Sequence, residues 1–164
     1  MEIKIRPYKV EDASPILEII NYNIINSTAL YDYNIRTLEN QVAILDEKLS
    51  KNFPVIVATE NDNVVGFAYY SEFRFREAYK FTVEHSVYSH QNHIGKGIGK
   101  KLLTELLHLA KAQNLHTMIG VIDSENQESI DFHSKFGFEI VGNIKESGYK
   151  FDRWLHSIIM QKML

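Results

Sequence analysis

Residues 86–103 read SVYSHQNHIGKGIGKKLL, and they are the most informative part of the chain. The β-branched and aromatic run up to Tyr88 predicts a strand, and leucines at helical spacing predict a helix from about Gly97. Gly95, Gly97 and Gly99 join the two elements. Glycines let a ligand approach the backbone closely, and the first N–H groups of a helix attract an anion. The stretch therefore predicts a phosphate-binding turn.

Basic residues and glycine spacing narrow the kind of turn. Lys96, Lys100 and Lys101 put positive charge at the helix N-terminus, which opposes the helix dipole unless an anion binds there. The Walker A loop needs an earlier glycine, and the dinucleotide pattern fails because position 100 is Lys. A pyrophosphate cradle of another kind is the favoured interpretation. A glycine-rich turn that only packs the helix on a sheet is the alternative.

The rest of the chain predicts alternating strands and helices. Strands are expected at 2–6, 54–59, 64–73, 79–88, 117–122, 139–145 and 154–163. Helices are expected at 12–25, after a Thr37 cap, at 97–113 and at 125–136. One face of the helix after Thr37 is expected to hold Leu38, Val42, Leu45 and Leu49. The order predicts one α/β domain over residues 1–164 with a mixed sheet, not a doubly wound one.

Composition excludes several classes of protein. The chain has 164 residues, 45% of them hydrophobic, with 18 Lys and Arg against 21 Asp and Glu and no cysteine. Disorder, disulfides and thiolate metal sites are therefore excluded. The net charge of −3 gives no reason to expect a general binder of nucleic acid or acidic membranes. No apolar run approaches the ~20 residues of a bilayer span, so a soluble cytoplasmic protein is the default expectation.

Several motifs together resemble the GNAT superfamily of N-acetyltransferases. The strand, the alternating glycines and the Leu-rich helix look like its acyl-CoA signature. Residues 126–138 are similar to its second signature, a helix that ends in Gly-Phe. Residues 81–88 and 150–155 look like the phosphinothricin and methionine sulfoximine acetyltransferase subgroup. The resemblance covers essentially the whole chain and implies direct acetyl transfer from acetyl-CoA to a primary amine in a ternary complex.

The resemblance also implies a fold and a coenzyme site. The fold is α/β (α+β), with a mixed central sheet of about seven strands, flanked by about four helices and splayed for acyl-CoA. The residues implied in coenzyme binding are Val87, Tyr88, Gly95, Lys96, Gly97, Ile98, Gly99, Lys100, Asn126 and Ser129. Val87 and Tyr88 would face the pantetheine arm, and residues 95–100 would hold the pyrophosphate. The chain departs from the family at Ile94, usually Gln or Arg, and from the subgroup at Asp152, often Gly.

Acetyl transfer needs a group that removes a proton from the amine and one that supplies a proton to the departing thiolate. Glu84 lies inside a predicted strand, where a carboxylate is costly without a partner or a task. The resemblance implies that Glu84 is the base or the ammonium anchor, and a solvated strand face is the alternative. His133 stands where many family members have a Tyr proposed as the acid, and a structural helix histidine is the alternative. Tyr88 is a weaker candidate for protonating the thiolate or holding the acetyl group.

The acceptor end is expected to be basic. Arg74 and Arg76 lie with Tyr79 in the loop before the Glu84 strand, and guanidinium groups recognise carboxylates and phosphinates in a two-pronged way. In the subgroup these positions line the acceptor pocket, together with the region of Glu84. Two solvated arginines are the alternative.

Other possibilities stay open. His90 and His93 are spaced like a metal pair, but no third ligand is apparent and no metal is predicted. Two other functions are alternatives for this chain. One is an enzyme that acetylates a protein N-terminus or a polyamine, and the other is a non-catalytic acyl-CoA sensor, which would keep the glycine turn without a working base. The subgroup tends toward homodimers, which implies a homodimer here. Phe151 and Trp154 would shape the acceptor pocket or a dimer contact, although core packing is the first expectation.

Overall fold

The computed structural model describes residues 2–164, in which seven strands and four α-helices alternate. The strands are β1 (Ile3–Pro7), β2 (Val55–Glu60), β3 (Asn63–Glu72), β4 (Thr82–Ser89), β5 (Thr117–Asp123), β6 (Glu139–Lys150) and β7 (Arg153–Met163). The helices are α1 (Ala13–Asn26), α2 (Leu38–Ser50), α3 (Ile98–Ala112) and α4 (Gln127–Lys135). Every predicted strand and helix is present, with boundaries that differ by a few residues.

All seven strands form one mixed sheet in the order β1-β2-β3-β4-β5-β7-β6. β4 and β5 run parallel, and the other neighbouring strands are antiparallel. The only parallel pair among the described residues is therefore joined by a crossover through α3, which follows the glycine turn. The predicted mixed sheet and the implied count of about seven strands and four helices are confirmed.

Side chains that alternate along the central strands belong to two separate hydrophobic layers, one on each face of the sheet. On one face, Val55 and Val57 of β2 pack with buried isoleucines of α1 and with Leu45 of α2. On the other face, Ile56 and Ala58 pack with the leucines of α3 and with Ile130 of α4. Because successive side chains of a strand point to opposite faces, one strand supplies both layers. The sheet is thus packed between two layers of helices, with α1 and α2 on one face and α3 and α4 on the other.

The buried face of α2 differs from the expectation. Thr37 caps the helix as predicted, because its hydroxyl accepts a hydrogen bond from the Asn40 N–H at 3.2 Å. Leu45 is buried, but Leu38 and Leu49 are 48% and 42% exposed. Gln41 is buried instead, where its side-chain oxygen accepts a bond from Arg36. The helix therefore presents a narrower apolar stripe to the sheet than its leucine spacing indicated.

The hairpin between β6 and β7 corrects the expectation for its aromatic residues. Phe151 and Trp154 are 49% and 59% exposed, so core packing was the wrong prediction. Phe151 and Asp152 form a two-residue turn with φ of 53° and 58°, between paired Lys150 and Arg153. Positive φ at both positions is the geometry of a tight hairpin turn that favours Gly, Asn and Asp. This geometry explains how Asp152 replaces the glycine common in the subgroup.

Within residues 2–164, α1 to α4 include no segment with the length and apolar character of a membrane-crossing helix.

Candidate active site

The sheet opens between its two parallel strands. β4 and β5 pair only at residues 82–84 with 117–119, although both strands continue well beyond this point. A cavity of about 550 Å³ lies at the opening, lined by β4, β5, α4 and the segment 28–31. That volume lies in the range of small-molecule sites. The predicted splaying of the sheet is therefore present, and a cleft lies where the two strands separate.

The glycine turn has room for a ligand at its backbone. Gly95 and Gly97 have φ of 84° and 74°, and a Cβ built on either glycine would have no atom within 4 Å. Gly99 is closer packed, with the Phe132 ring 3.5 Å from its built Cβ. The first intrahelical bond runs from the Lys101 N–H to the Gly97 carbonyl at 3.2 Å, which leaves the N–H groups before it without an acceptor inside the helix. These features fit a phosphate group against the N-terminus of α3.

The lysines beside the turn are placed differently from the expectation that all of them face an anion. Lys96 Nζ pairs with Glu60 at 3.2 Å, and Lys101 Nζ donates to the Ile3 carbonyl at 2.9 Å. Lys100 is exposed, and the Ile98 side chain is buried in the core beneath α3. The turn therefore offers an anion mainly the backbone N–H groups of residues 97–100, and the lysine charges contribute less.

Glu84 lies near the start of β4, opposite Ser71 of β3, and its half-buried side chain lines the cavity. Burial raises the pKa of the Glu84 carboxyl, and the charge of Lys48 lowers it. Lys48 itself lies over the Tyr69 ring, 4.2 Å from its centroid. A carboxylate with a raised pKa beside a cavity is a candidate proton acceptor.

Val87 and Tyr88 line the same cavity from opposite faces of β4. Val87 reaches toward Gly99, whereas Tyr88 is buried against the α1 layer and stacks on Phe67 at 5.2 Å between ring centroids. Burial raises the pKa of the Tyr88 phenol, so it holds its proton firmly. The phenol is therefore better suited to donating a hydrogen bond than to releasing a proton.

The N-terminus of α4 forms the opposite wall of the cavity. Asn126 caps the helix, because its side-chain oxygen accepts a bond from the Ser129 N–H at 3.1 Å. One turn later the Ser129 carbonyl accepts a bond from His133 Nδ1 at 2.7 Å. Asn126, Ser129 and His133 all line the cavity, so the structure brings these predicted residues to one side of it.

Of the four residues predicted at the acceptor end, only Glu84 lines the cavity. Arg74, Arg76 and Tyr79 are exposed in the loop between β3 and β4 and do not line the cavity. Arg74 stacks on Phe73 and Arg76 on Phe75, each about 5.1 Å from the ring centroid. Tyr79 was predicted to begin a strand but belongs to a short 3-10 turn that precedes β4. The structure therefore places the three residues at the Glu84 end of β4, outside the cleft.

Three functional candidates were missed from the sequence. His85 follows Glu84 and points to the other face of β4, where its Nε2 lies 2.9 Å from His133 Nε2. Asp123 is buried at the end of β5 and accepts a bond from the Thr28 hydroxyl. Buried Lys150 donates to the carbonyls of Ser27 and Leu30, at 2.8 and 2.6 Å, and so fixes the cavity wall at 28–31.

The pair His90 and His93 has a structural partner. His93 Nε2 lies 3.3 Å from Glu60, the same carboxylate that pairs with Lys96, and the His90 and His93 rings pack edge to face. Within residues 2–164, no group of three or more His, Asp and Glu side chains is arranged to hold a metal ion. Ile94 is 69% exposed in the same loop.

The sheet splits beside a glycine turn, and the cavity at the split is lined by a carboxylate and two imidazoles. The chain belongs to the acetyltransferase (GNAT) domain family, whose model matches residues 5–159. It is 40% identical to an L-methionine sulfoximine/L-methionine sulfone acetyltransferase of Pseudomonas aeruginosa, over 98% of this chain and 94% of that protein. It is 35% identical to the L-amino acid N-acyltransferase MnaT of Escherichia coli, over 99% and 94%.

Solved structures agree with this assignment. An N-acetyltransferase from Staphylococcus aureus superposes with a TM-score of 0.98 at 39% identity, covering 99% of both chains. A Brucella melitensis ribosomal-protein-alanine N-acetyltransferase has a TM-score of 0.97 at 38% identity, covering 98% of this chain and 99% of the other. A Sinorhizobium meliloti phosphinothricin acetyltransferase in complex with AcCoA has a TM-score of 0.96 at 35% identity, covering 100% and 89%.

Proposed function

We propose that this chain transfers an acetyl group from acetyl-CoA to the primary amine of a small amino acid or analogue of the phosphinothricin or methionine sulfoximine type. The observation that carries the proposal is the cleft between β4 and β5, which joins the glycine turn to Glu84 and His133. Relatives that share 35–40% identity over nearly the whole chain are named for amino acid acylation or methionine sulfoximine acetylation. Transfer is direct, within a complex that holds both substrates.

The coenzyme would lie across the open edge of β4. The glycine turn supplies backbone N–H groups from Gly97 to Lys100 for the pyrophosphate, and Val87 and Tyr88 flank the pantetheine arm. Asn126 and Ser129 line the other side. Acetyl-CoA brings the acetyl group as a thioester, which an uncharged amine can attack.

The residues where β4 and β5 separate accept and donate the protons of the reaction. An alkyl amine is mostly protonated at neutral pH, so a base must free it before it reacts. Glu84 has a pKa raised by burial and lines the cavity, which suits it to accept that proton or to hold the ammonium. His133 lies on the opposite wall and serves proton transfer to the departing sulfur. The Tyr88 hydroxyl holds the acetyl group by a hydrogen bond.

A second chain would complete the acceptor end. Arg74, Arg76 and Tyr79 do not reach the cavity of their own chain, and we propose that the protein is a homodimer in which basic side chains meet the carboxylate of the acceptor near the Glu84 end. Exposed apolar side chains along the β6–β7 hairpin support an interface: Ile140, Val141, Ile144, Tyr149, Phe151 and Trp154.

We also propose that the protein is cytoplasmic, acts as one domain over residues 1–164 and has no nucleic acid or membrane partner. The absence of cysteine and the net charge of −3 support this proposal.

A protein N-terminus is the second candidate acceptor. The Brucella structure named for ribosomal protein alanine acetylation is as similar to this chain as the amino acid enzymes are. The two candidates differ in size, because an amino acid fits wholly within about 550 Å³ and a polypeptide must leave the cavity. The acceptor is therefore the property that an experiment must decide.

A panel of free amino acids, methionine sulfoximine, phosphinothricin, polyamines and N-terminal peptides tests the proposal through acetyl-CoA-dependent thiol release. We expect turnover with the amino acid analogues, and peptide-only turnover would favour the second candidate. Acetyl-CoA should raise the melting temperature, whereas NAD and ATP should not. Stabilisation by acetyl-CoA without turnover on any amine would identify a sensor.

A further inference from the structure

Two buried histidines meet where β4 and β5 separate. His85 is 6% exposed and His133 is 7% exposed, and both line the cavity. Their Nε2 atoms are 2.9 Å apart, which is hydrogen-bonding distance. Such a contact needs a proton on one of the two nitrogens, and the other contacts of the rings decide how many protons the pair carries.

Each ring is held at its second nitrogen by a backbone carbonyl. His85 Nδ1 lies 2.9 Å from the Ile119 oxygen, and His133 Nδ1 lies 2.7 Å from the Ser129 oxygen. A carbonyl oxygen only accepts, so both Nδ1 atoms carry hydrogen and donate it. A neutral imidazole has one N–H, so two neutral rings held in this way would point two Nε2 lone pairs at each other. A third proton replaces that repulsion with an N–H···N hydrogen bond and gives the pair a single positive charge.

We propose that His85 and His133 bind one proton as a unit, between their Nε2 atoms, and that His85 thereby sets the proton affinity of His133. The catalytic half of this inference rests on the proposed function. In acetyl transfer a C–N bond forms and a C–S bond breaks, the amine nitrogen loses one proton, and the sulfur gains one. A pair that takes up one proton and returns one balances this exchange. His85 acts through His133 and is a positioning residue.

Burial opposes charge on the pair, and the pKa of each ring lies below its ordinary value. Burial lowers the pKa of both rings, and the charge of His133 further lowers the pKa of His85, while the carbonyl contacts raise both values. The charged side chains on the elements packed around the pair are Glu84 of β4, Asp123 of β5, Glu128, Asp131 and Lys135 of α4, and Arg153 and Lys162 of β7. Within residues 2–164 none of them forms a hydrogen bond or ion pair with either ring, so the two rings are coupled to each other and not to a charged side chain.

NMR titration of the free protein tests the inference without any coenzyme or acceptor. With ring nitrogens labelled, we expect the signals of His85 and His133 to move together through one midpoint that corresponds to one proton. In His85→Phe the isolated His133 should titrate at least about one pH unit lower. Independent midpoints in the natural protein, or an unchanged His133 midpoint in His85→Phe, would overturn the inference. If His85→Phe does not fold, the titration of the natural protein still decides.

A conservative variant separates proton sharing from ring placement. Gln at position 85 can bond to His133 Nε2 but cannot take a proton at neutral pH. We expect both His85→Gln and His85→Phe to shift the alkaline limb of the kcat/KM profile at least about one pH unit lower, because His133 then loses at lower pH the proton that it must pass to the sulfur. His108→Phe, an exposed histidine on α3, is the control and should keep the natural profile. If His85→Gln has the same pH profile as the natural protein, proton sharing is refuted. If the natural protein and all variants are inactive while the NMR titration is as expected, only the proposed function is refuted.

Discussion

At the scale of single residues, Glu84 combines a half-buried carboxyl with a raised pKa and a place on the cavity wall. We predict that Glu84→Gln lowers kcat by about 100-fold, since general-base assistance contributes 10²–10⁴-fold in enzymes, while acetyl-CoA affinity is unchanged. Steady-state kinetics and calorimetry measure the two effects. Glu128→Gln, which removes another carboxylate of the cavity, is the matched control. Full turnover in Glu84→Gln would remove Glu84 from the mechanism.

The same side chain makes a prediction for stability against pH. Because the pKa of Glu84 is higher in the folded than in the unfolded chain, the folded state binds more protons between the two values. The contribution of Glu84 to stability therefore falls as pH rises through this interval, and the charged carboxylate destabilises the fold at neutral pH. Glu84→Gln should melt at a higher temperature than the natural protein at pH 7, with a smaller gain at pH 4. A lower melting temperature at pH 7 would contradict this.

Lys150 is a buried cation that holds the cavity wall at 28–31 through two carbonyl oxygens. We predict that Lys150→Met costs about 1–3 kcal/mol of unfolding free energy, the range for lost partners of buried polar groups. It should also raise the KM for the amine while leaving acetyl-CoA affinity unchanged. Denaturant unfolding and kinetics measure these effects, and exposed Lys145→Met is the control. Equal KM values in both variants would mean that Lys150 does not position the wall.

Local sequence patterns point to some of the residues that the structure places at the cavity. Glu84 and the helix with His133 were predicted from motifs, and both line the cavity. The bond between Thr28 and Asp123 joins residues 95 positions apart, and the bond from Lys150 to Ser27 joins residues 123 positions apart. No local pattern contains contacts of that separation, because only the closed sheet brings the residues together.

At the scale of elements, the turn before α3 tests whether the backbone itself receives the ligand. Gly97→Val should lose about 1–2 kcal/mol of stability, because a β-branched residue disfavours φ of 74°. Gly97→Asn tolerates that φ, so it should keep its melting temperature yet bind acetyl-CoA at least about tenfold more weakly, since a side chain then occupies the cradle. Calorimetric titration measures the affinity, with Gly142→Ala as the control outside the turn. Natural affinity in Gly97→Asn would show that glycine serves only the turn.

The predicted elements differ from the structure where tertiary contacts override local pattern. β6 extends to Lys150, five residues past its predicted end, because its pairing with β7 continues across irregularities between Ile140 and Gly142 and between Ile144 and Gly148. β4 begins only at Thr82, since the aromatic residues before it cluster in a loop. The separation of β4 from β5 could not be predicted from periodicity, because strand composition does not record which neighbour a strand leaves.

At the scale of the whole molecule, the exposed apolar side chains of the β6–β7 hairpin predict self-association. Light scattering should give twice the chain mass of 19.0 kDa. Ile144→Glu, at a position that is 54% exposed, should shift the mass toward one chain, whereas Val10→Glu, at a site 63% exposed on another edge, should not. If the acceptor site needs a second chain, the KM for the amine should rise in Ile144→Glu. A monomeric natural protein would contradict the dimer.

Acetyl-CoA should bind in the cleft between β4 and β5, against the glycine turn. Hydrogen exchange of the backbone, followed by mass spectrometry with and without acetyl-CoA, locates the binding site. We predict slower exchange in peptides that cover residues 86–100 and 126–133, and little change in the loop at 73–81. Slower exchange confined to any other region would place the coenzyme outside the cleft, and no change at saturating acetyl-CoA would mean that the chain does not bind it.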